Sequence, residues 1–420
     1  MEGWKTDKFK NQIENKSGYT WAKEQESPIP EPNSVRVLTV TNIQDKLDLT
    51  SELYLRGVKD KDKREKKVSK NWSIAVSSNG NRKRIGNAVF IQDDTDYMFA
   101  SFLTGFRPKA DSELLPDYFY RWLSSYIVQE RISSVSEGTT GLGNLDLRYL
   151  RNMDIVYPNK AEQTAIANLL SKVDDAITSV QNSIVAAERL KKSLMQNLLT
   201  GKMKPDGSFR TPEEFYIDEK FGKVPVGWHW GRLSEIAEII AGQSPQGEYY
   251  NDEGIGVPIL NGPTEFTDQY PVPMQWTTKV TKLCNKGDIL FTVRGSSTGR
   301  MNFADQEYCI GRGIAAIRPK QNSNISFIYY TLIKISEMIL AEAKGAGTTF
   351  PNVSRGELMK KMILIPNTNQ DQLIKPIEQL AEFSISKQTY VKHLERLKKS
   401  LMQNLLTGRV RINEIMTEDK

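Results

Sequence analysis

The segment ERLKKSLMQNLLTG occurs twice in this 420-residue chain, at residues 188–201 and, letter for letter, at residues 395–408. Fourteen identical residues in a row are not expected by chance, so the repeat indicates an internal duplication. One copy lies near the middle of the chain and the other near its end. Any fold for this chain must therefore hold the same element in two places.

Each copy ends a longer pattern that predicts a helix. In the first half, apolar residues alternate at steps of four and three along Ile166, Leu170, Val173, Ile177, Val180, Ile184, Ala187, Leu194 and Leu198. This heptad spacing is typical of a helix that packs along its length against another helix. The second half keeps the register, with a less apolar middle, at Leu373, Ile377, Leu380, Ser384, Lys387, Val391, Leu394, Lys398, Leu401 and Leu405.

Both helices carry matching start and stop signals. An Asn followed three residues later by Glu or Gln resembles a capping box, at Asn159–Glu162 and at Asn367–Gln370. Gly201 and Gly408 are predicted to take the left-handed conformation that ends a helix. Pro376 is predicted to kink the second helix or to delay its start.

A helix of about 40 residues is roughly 60 Å long, and one such helix cannot bury its apolar seam alone. Two in one chain can bury each other, in antiparallel fashion if a globular domain returns the chain between them. Packing of each helix on its own domain, or on another chain, is the alternative.

The sequence before each helix is also repeated, more faintly. EGTTGLGNLDLRYLRNMDIVYPN and GAGTTFPNVSRGELMKKMILIPN share Gly-Thr-Thr, then Asn144 or Asn352, then a short apolar strand that ends in Pro-Asn. Elsewhere the halves look unrelated. RVLTVTNIQDKLDL has no clear partner in the second half, and KGDILFTVRG has none in the first. A duplicated frame with different inserted surfaces suggests one scaffold that recognises two different targets.

These patterns predict an α+β fold with two globular α/β domains, joined by two long antiparallel coiled-coil helices in a pseudo-twofold repeat. The predicted parts are a first globular domain at 1–157, a first helix at 158–204, a second globular domain at 205–365, a second helix at 366–411 and a tail at 412–420. The second domain opens with a connector that is rich in proline, glycine and charge.

Composition excludes several kinds of site. With two cysteines and two histidines, the chain cannot form a disulfide scaffold, and a zinc site or histidine-centred catalysis is not expected. We expect no metal site. No run of 18 apolar residues and no secretion signal are present, which predicts a cytoplasmic protein with no membrane contact. The net charge of +6 is compatible with nucleic acid but is not diagnostic of it.

Catalytic motifs are missing as well. The chain has no NPPY-like tetrapeptide for an extruded adenine and no phosphate-binding loop, and its one D-x-K triplet, at 218–220, is typical of chance. A standalone nuclease or methyltransferase is therefore not predicted.

Three stretches carry a resemblance to a known family. VPVGWHWGRLSEIAEIIAGQSPQG, KGDILFTVRGSSTG and the two LKKSLMQNLLTG segments, with the duplicated architecture, resemble the specificity subunit of type I restriction–modification systems. The resemblance implies a non-catalytic subunit with two target-recognition domains, each binding half of a split site in double-stranded DNA. It implies helices that fix the gap and two methyltransferase partners. Restriction subunits are further partners where present. S-adenosylmethionine, ATP and Mg are expected on the partners, and this chain is expected to bind no cofactor.

DNA reading requires side chains that meet base edges, with Arg suited to guanine and Asn or Gln to adenine, while Lys, Ser and Thr suit phosphates. In the second half, VRGSSTGR and GQSPQG supply Arg294, Ser296, Ser297, Thr298, Arg300, Gln243, Ser244 and Gln246. In the first half, SSNGNRKRIG supplies Asn79, Asn81, Arg82, Lys83 and Arg84. Tight turns with capping serines are the alternative interpretation.

Two further sets of residues occur at equivalent places in both halves. Thr139, Thr140, Thr348 and Thr349 belong to the repeated Gly-Thr-Thr, where equivalence favours scaffold or phosphate contact over base reading. Leu194, Leu198, Leu401 and Leu405 belong to the spacer helices, whose repeated segments are candidate docking surfaces for one partner. A two-domain adaptor on a coiled-coil spacer that does not read DNA is the alternative function.

Overall fold

A computed structural model of the chain describes residues 3–136, 142–320, 322–345, 351–367 and 369–412. The chain divides into two compact units. Unit 1 consists of Met1–Gln181 and Gln388–Lys420, and unit 2 consists of Asn182–Lys387. Each unit therefore takes its globular part from one stretch of chain and borrows part of a spacer helix from elsewhere in the sequence.

Unit 1 contains twelve short strands in the part of the chain that is described. They are β1 (Lys5–Lys8), β2 (Ile13–Ser17), β3 (Glu26–Ser27), β4 (Val35–Leu38), β5 (Tyr54–Leu55), β6 (Ser73–Val76), β7 (Ser78–Asn79), β8 (Ala88–Phe90), β9 (Met98–Phe99), β10 (Leu103–Pro108), β11 (Gly143–Asn144) and β12 (Asp154–Tyr157). Its helices are α1 (Phe9–Gln12), α2 (Asp60–Glu65), α3 (Pro116–Leu123), α4 (Tyr126–Val135), α5 (Leu147–Asn152) and the start of the long α6 (Lys160–Leu198).

Unit 2 follows nearly the same order of elements. Its strands are β13 (Phe215–Asp218), β14 (Gly222–Pro225), β15 (Trp228–Arg232), β16 (Ala237–Ala241), β17 (Tyr250–Asn251), β18 (Val257–Leu260), β19 (Gln275–Thr277), β20 (Leu283–Cys284), β21 (Ile289–Thr292), β22 (Met301–Phe303), β23 (Tyr308–Ile310), β24 (Ile314–Pro319) and β25 (Met362–Pro366). Its helices are α7 (Leu233–Ile236), α8 (Ile325–Gly345), α9 (Arg355–Lys360) and the start of α10 (Gln370–Leu405).

The sheets of the two units have matching topologies, apart from one additional edge strand, β20, in the second sheet of unit 2. The strand order β2-β10-β6-β8 in unit 1 matches β16-β24-β21-β22 in unit 2, and every pairing in both is antiparallel. A second sheet runs β3-β5-β4-β9 in unit 1 and β17-β19-β18-β23-β20 in unit 2, with one parallel pair in each, β4 with β9 and β18 with β23. The duplication therefore extends through both globular parts.

Two expectations from the sequence are wrong. RVLTVTN lies on β4 and the turn after it, whose partner in unit 2 is β18 with VPILNGP. KGDILFTVRG, on β21, corresponds to KNWSIAVSSN, on β6. Sequence comparison missed both pairs because a sheet position requires apolar side chains and a pairing partner rather than particular residues.

In unit 1 the long helices run antiparallel. Lys398 Nζ lies 2.7 Å from an Asp174 carboxylate oxygen, and Arg411, just past the end of α10, contacts Glu162 at 2.6 Å in the first turn of α6. Residues later in α6 therefore contact residues earlier in α10, as in an antiparallel pair. The heptad positions Leu170 and Leu405 are both buried in the core of unit 1, as the seam predicts.

Unit 2 repeats this arrangement with the other halves of the two helices. Ser384 of α10 is buried at its seam position, beside the Glu188 carboxylate of α6. Leu198 from α6 packs with Leu373 and Ile377 from α10 in the core of unit 2. The antiparallel coiled-coil pairing predicted from the sequence is confirmed.

The helix ends agree with most of the start and stop signals. Asn159 Oδ1 accepts a hydrogen bond from Glu162 N at 3.0 Å, as a helix cap. Gly201 and Gly408 have φ of +61° and +68°, the left-handed conformation that was predicted. At α10 the cap is Asn369, whose Oδ1 accepts from the backbone N–H of the second helical residue at 2.8 Å, and not the predicted Asn367.

Asn367 fails as a cap because its side chain has another partner. Its Oδ1 lies 3.0 Å from Nδ1 of His229, on the neighbouring strand β15. Pro376 lies inside α10, so the helix starts before the proline, and a delayed start is excluded.

A buried glutamine joins each long helix to its globular domain. Gln163 is fully buried, and its Oε1 accepts a hydrogen bond of 2.8 Å from the N–H of Leu115, the residue before α3. Gln370 does the same at 2.7 Å for Asn324, the residue before α8. An unpaired N–H at a buried helix start is costly, so each glutamine both caps a helix and fixes the junction.

The four leucines predicted for the spacer differ in exposure. Leu198 and Leu405 are buried, and Leu194 and Leu401 are partly buried against the core of their own unit. Their packing matches a spacer role and leaves little surface for a partner. The exposed leucines of the repeated segment are Leu190, 51% exposed, and Leu397, 47% exposed.

Asp174, on α6, contacts Lys398 of α10 and Arg121 of α3, which predicts an acid-sensitive contribution to stability. Burial alone would raise the pKa of Asp174, but the Lys398 ammonium and the Arg121 guanidinium outweigh burial and hold the pKa below its ordinary value. A lowered carboxyl pKa stabilises the fold above the ordinary Asp value of about 3.9, and the stabilisation is lost as pH falls through the folded-state pKa. We expect Asp174→Asn to lower the free energy of unfolding by about 1–3 kcal/mol at pH 7 and by less at pH 3.5, where the carboxylate of the unfolded chain is already mostly protonated.

Urea denaturation of the full chain at both pH values measures this difference. Asp175→Asn is the matched control, because Asp175 is exposed on the same helix. Equal losses at pH 7 and at pH 3.5 would contradict the assigned role of the carboxylate charge.

Candidate nucleic-acid interface

In unit 2, several loops meet at one edge of the two sheets. The turn 311–313 lies between them: Gln243 N donates to the carbonyl of Ile310 at 2.8 Å, and Arg312 N donates to Ser244 Oγ at 3.2 Å. The loop 293–300 contacts the other end of this turn, where Val293 N donates to the Gly313 carbonyl at 2.9 Å. The two loops selected from the second half of the sequence are thus neighbours.

The same loops meet in unit 1. Ser77 N and Ser78 N, at the start of the loop 77–87, donate to the carbonyl of Phe102 at 2.8 and 3.2 Å. The turn 100–102 is also bound from the other side, where Ser101 N donates to the Tyr19 carbonyl at 2.8 Å. We call these two sets of loops the loop clusters of unit 1 and unit 2.

The loops 77–87 and 293–300 occupy equivalent positions, between β6 and β8 and between β21 and β22. Each closes with a backbone hydrogen bond, from Gly86 N to the last residue of β6 at 2.8 Å and from Gly299 N to the last residue of β21 at 2.9 Å. Both glycines have positive φ, +88° and +92°, which a side chain would disfavour. The two loops proposed separately from composition are therefore one structural element in two copies, differing in length and side chains.

Two of the candidate arginines are tied to the scaffold. Arg84 Nη2 donates to the carbonyls of Val40 and Ile43 at 3.0 and 2.6 Å, in the turn after β4. Arg300 donates to the equivalent carbonyls after β18, those of Pro263 at 3.2 Å and Phe266 at 2.8 Å. Equal anchoring in both units indicates that these guanidinium groups hold the loop against the turn, and their predicted DNA contacts have no support from this geometry.

Thr298 is also occupied. It is 5% exposed, and its Oγ1 donates to the Gly295 carbonyl at 2.7 Å. The hydroxyl stabilises the loop, as the turn interpretation expected, and its predicted DNA contact has no support from this geometry.

The remaining cations of these loops have free side chains. Arg82, Lys83 and Arg294 are exposed, and their charged groups have no ion-pair or hydrogen-bond partner among the described residues. An exposed cation held on a fixed loop keeps its charge available for a phosphate or a base edge.

The polar residues of the loops also divide into those whose side chains bind the backbone and those that are exposed at the loop surface. Asn79 and Asn81 accept hydrogen bonds from backbone N–H groups two residues further on, at 2.8 and 3.1 Å, which leaves their amide groups able to donate. Ser296 and Ser297 lie at the tip of their loop, the first exposed and the second half-buried. Gln243, Ser244 and Gln246 lie on the loop after β16, where both glutamines are exposed.

The repeated threonines Thr139, Thr140, Thr348 and Thr349 lie outside the described residues. Their neighbours Asn144 and Asn352 are described, and each pairs with the start of the loop already discussed. Asn144 pairs with Ser78 in a two-residue ladder, and Asn352 forms the corresponding bridge with Arg294. The predicted equivalence of the two asparagines is thus reproduced by the backbone.

Sequence reasoning missed Arg312. It lies between Gly311 and Gly313 in a short turn, exposed, and its guanidinium has no partner among the described residues. A single arginine between two glycines gives no signal in composition. Only the strand order brings it beside the loop that contains Arg294.

The difference between Arg294 and Arg300 gives a testable prediction. We expect Arg294→Ala to weaken recognition at one half of the DNA site by roughly 5- to 150-fold, because a bidentate contact contributes about 1–3 kcal/mol of discrimination. Binding to duplexes altered in one half-site at a time measures this.

Arg300→Ala is the matched comparison, because it removes the same charge from the same loop but breaks a contact with the scaffold. We expect it to lower the melting temperature, whereas Arg294→Ala should not. An equal loss with Arg294→Ala on unrelated sequences would identify Arg294 as a phosphate contact.

Comparison with known proteins shows which protein family has this arrangement. A family model for the type I restriction modification DNA specificity domain matches residues 2–189 and 225–395, which is most of the chain and covers both halves. The putative type I restriction enzyme MjaX specificity subunit of Methanocaldococcus jannaschii is 28% identical over 417 residues, covering 98% of this chain and 94% of the relative. The HindI specificity subunit of Haemophilus influenzae is 21% identical, covering 85% and 90%.

Solved structures agree on the fold. A type I restriction–modification S subunit from M. genitalium aligns with a TM-score of 0.59 at 18% identity, covering 96% of each chain. A chain from a study of complex assembly in a type I R-M system aligns with a TM-score of 0.56 at 19% identity, covering 97% and 98%. At these identities the match shows the shared fold.

Within the part of the chain that is described, no helix is long and apolar enough to span a membrane. Taken with the two loop clusters on a duplicated frame, the matching family model shows that this chain belongs to the type I restriction–modification DNA specificity family, and that its function is sequence-specific recognition of DNA.

Proposed function

We propose that this chain reads a DNA site in two parts, with the loop cluster of unit 1 on one half-site and that of unit 2 on the other. One observation carries the proposal: the two clusters have the same backbone frame but different side chains. In this proposal the length of the antiparallel spacer helices sets the gap between the half-sites. A two-domain adaptor that does not read DNA is not favoured, because it gives no reason for free cations at equivalent loops.

The proposed partners are two copies of a methyltransferase subunit, which carries S-adenosylmethionine, with restriction subunits that use ATP and Mg where the system has them. Each unit holds an equivalent groove beside the end of its repeated segment. The groove of unit 1, about 550 Å³, is lined by Leu406 and Thr407, and the groove of unit 2, about 1140 Å³, is lined by the matching Leu199 and Thr200. Identical residues at both grooves suit two copies of one partner.

Around those residues the grooves are also equivalent. Tyr126, the first residue of α4, lines the groove of unit 1. Ile335, on α8, lines the groove of unit 2. Specificity subunits of this family are non-catalytic in general. In this proposal the chain directs chemistry that takes place on its partner subunits. The assembly acts in the cytoplasm, where the chromosome lies.

Mapping of N6-methyladenine across the genome of the source cell, with and without this gene, tests the function. A bipartite, gapped motif whose methylation disappears on deletion supports the proposal and reveals both half-sites. If the map is unchanged while the partner methyltransferase is expressed, the proposal is wrong. Complementation with the native gene controls for effects of the deletion on neighbouring genes.

A further inference from the structure

A short turn is built in the same way in both loop clusters. It comprises residues 100–102 in unit 1, between β9 and β10, and residues 311–313 in unit 2, between β23 and β24. A backbone hydrogen bond closes each turn. Leu103 N donates to the Ala100 carbonyl at 2.9 Å in unit 1, and Ile314 N donates to the Gly311 carbonyl at 3.0 Å in unit 2. The first residue of each turn also donates to the last residue of the neighbouring strand, β4 or β18, at 2.9 and 2.8 Å. The backbone of the turn is therefore fixed independently of its side chains.

The side chains on this fixed turn differ completely between the units. Unit 1 presents Phe102, which is 52% exposed although it is a large aromatic residue in a well-bonded turn. Unit 2 has Gly313 at that place and presents Arg312 one residue earlier, where unit 1 has Ser101. Residues that serve only the scaffold would resemble each other, as Arg84 and Arg300 do. Different side chains on the same backbone are expected of two elements that recognise different DNA sequences.

Arg312 is placed to meet a base edge. Its backbone N–H is bound to Ser244 Oγ at 3.2 Å, and the carbonyl of Gly313 is bound to Val293 N at 2.9 Å, so the residue lies between the two candidate loops of unit 2. The next residue after Val293 is Arg294. Two arginines without a partner among the described residues therefore lie on adjoining loops, where both can meet an anionic ligand rich in acceptors.

We propose that this turn is a specificity-determining element of each unit, with Arg312 reading a guanine in one half-site and Phe102 contacting a thymine methyl in the other. Arginine forms a bidentate contact with O6 and N7 of guanine, and phenylalanine is suited to apolar contact with the thymine methyl. The inference rests on the proposed function, since it assigns bases to a surface taken to read DNA.

The test uses the full chain assembled with its methyltransferase partner, and duplexes that carry the motif found by methylation mapping. Arg312→Ala is expected to lower the preference for guanine at one position of one half-site by roughly 5- to 150-fold, and to leave the other half-site unchanged. 7-Deazaguanine at that position, which lacks the N7 acceptor, should weaken binding by the native protein and not by the variant. Phe102→Ala should act on the other half-site, where deoxyuridine in place of thymidine should reproduce its effect.

Two further variants make the outcome specific. Arg312→Lys keeps the charge but not the planar fork, so it should preserve the salt dependence of binding and lose the guanine preference. Lys286→Ala removes an exposed cation at the opposite end of β21 and should change neither. A uniform loss on all sequences, or unchanged guanine preference in Arg312→Ala, overturns the inference while the proposed function stands. If the native assembly shows no sequence preference at all, the proposed function fails and the inference fails with it.

Discussion

Replacing Leu405 by alanine is expected to lower the free energy of unfolding by about 3 kcal/mol, because Leu405 is fully buried in the core of unit 1. Removing most of such a side chain loses its transfer free energy and leaves a cavity that close packing only partly refills. Leu198→Ala should cost a similar amount in unit 2, where the same residue of the repeated segment is 1% exposed. Urea denaturation, with hydrogen exchange to locate the loss, measures both.

The repeated segment supplies its own control. Leu190→Ala and Leu397→Ala change the same residue type on the same helices, but at positions about half exposed, and should alter stability by less than about 0.5 kcal/mol. Protection from exchange should fall in unit 1 for Leu405→Ala and in unit 2 for Leu198→Ala. If both variants loosened the same unit, the assignment of each helix end to its own core would be wrong.

Deleting seven residues from each spacer helix, 177–183 and 389–395, is expected to abolish recognition of the native DNA site and to create recognition of a site with a shorter gap. Seven residues span about 10 Å of helix, and base pairs stack at about 3.4 Å, so the gap should shrink by about three base pairs. The deletions keep the heptad register, and they leave intact the Asp174–Lys398 ion pair on one side and the packing of Glu188 beside Ser384 on the other. Methylation of a plasmid library with randomised gaps measures the change.

The half-site sequences should not change, because neither loop cluster is altered. Half-sites three base pairs closer are also rotated by about 100° about the DNA axis, so the shortened protein should bind its new site more weakly than the native protein binds its own. A deletion from one helix alone should offset the seam and reduce stability without defining a new gap. Altered half-site bases, or an unaltered gap with both deletions present, would show that the helices are not the spacer.

The helical frame could be predicted from the sequence because its signals are local. Heptad spacing, an exact repeat and glycine caps each act within a few turns of one helix, so α6 and α10 and their pairing followed. Asn367 was the exception, because its contact with His229 comes from a strand that is distant in sequence. Capping rules cannot anticipate such a competing partner.

The candidate interface was predictable only in part. Composition found both copies of the loop between β6 and β8 and between β21 and β22, since clustered Arg, Lys and Asn residues are visible in the sequence. It could not separate Arg294, which is free, from Arg300, which binds the carbonyls after β18. It also missed Arg312, because the strand order, and not the local sequence, brings that turn to the loop cluster.

The bonded frame beneath the turns at 100–102 and 311–313 has a consequence for evolution. Most mutations that alter a protein's recognition also threaten its folding, because the same side chains serve both needs. Here the backbone hydrogen bonds hold the turn, while Phe102 and Arg312 project from it without supporting the core. Under the proposed role of these turns, target preference would change by single substitutions in one half of the protein, with the other half and the fold conserved. New specificities would then arise without passing through variants that fail to fold.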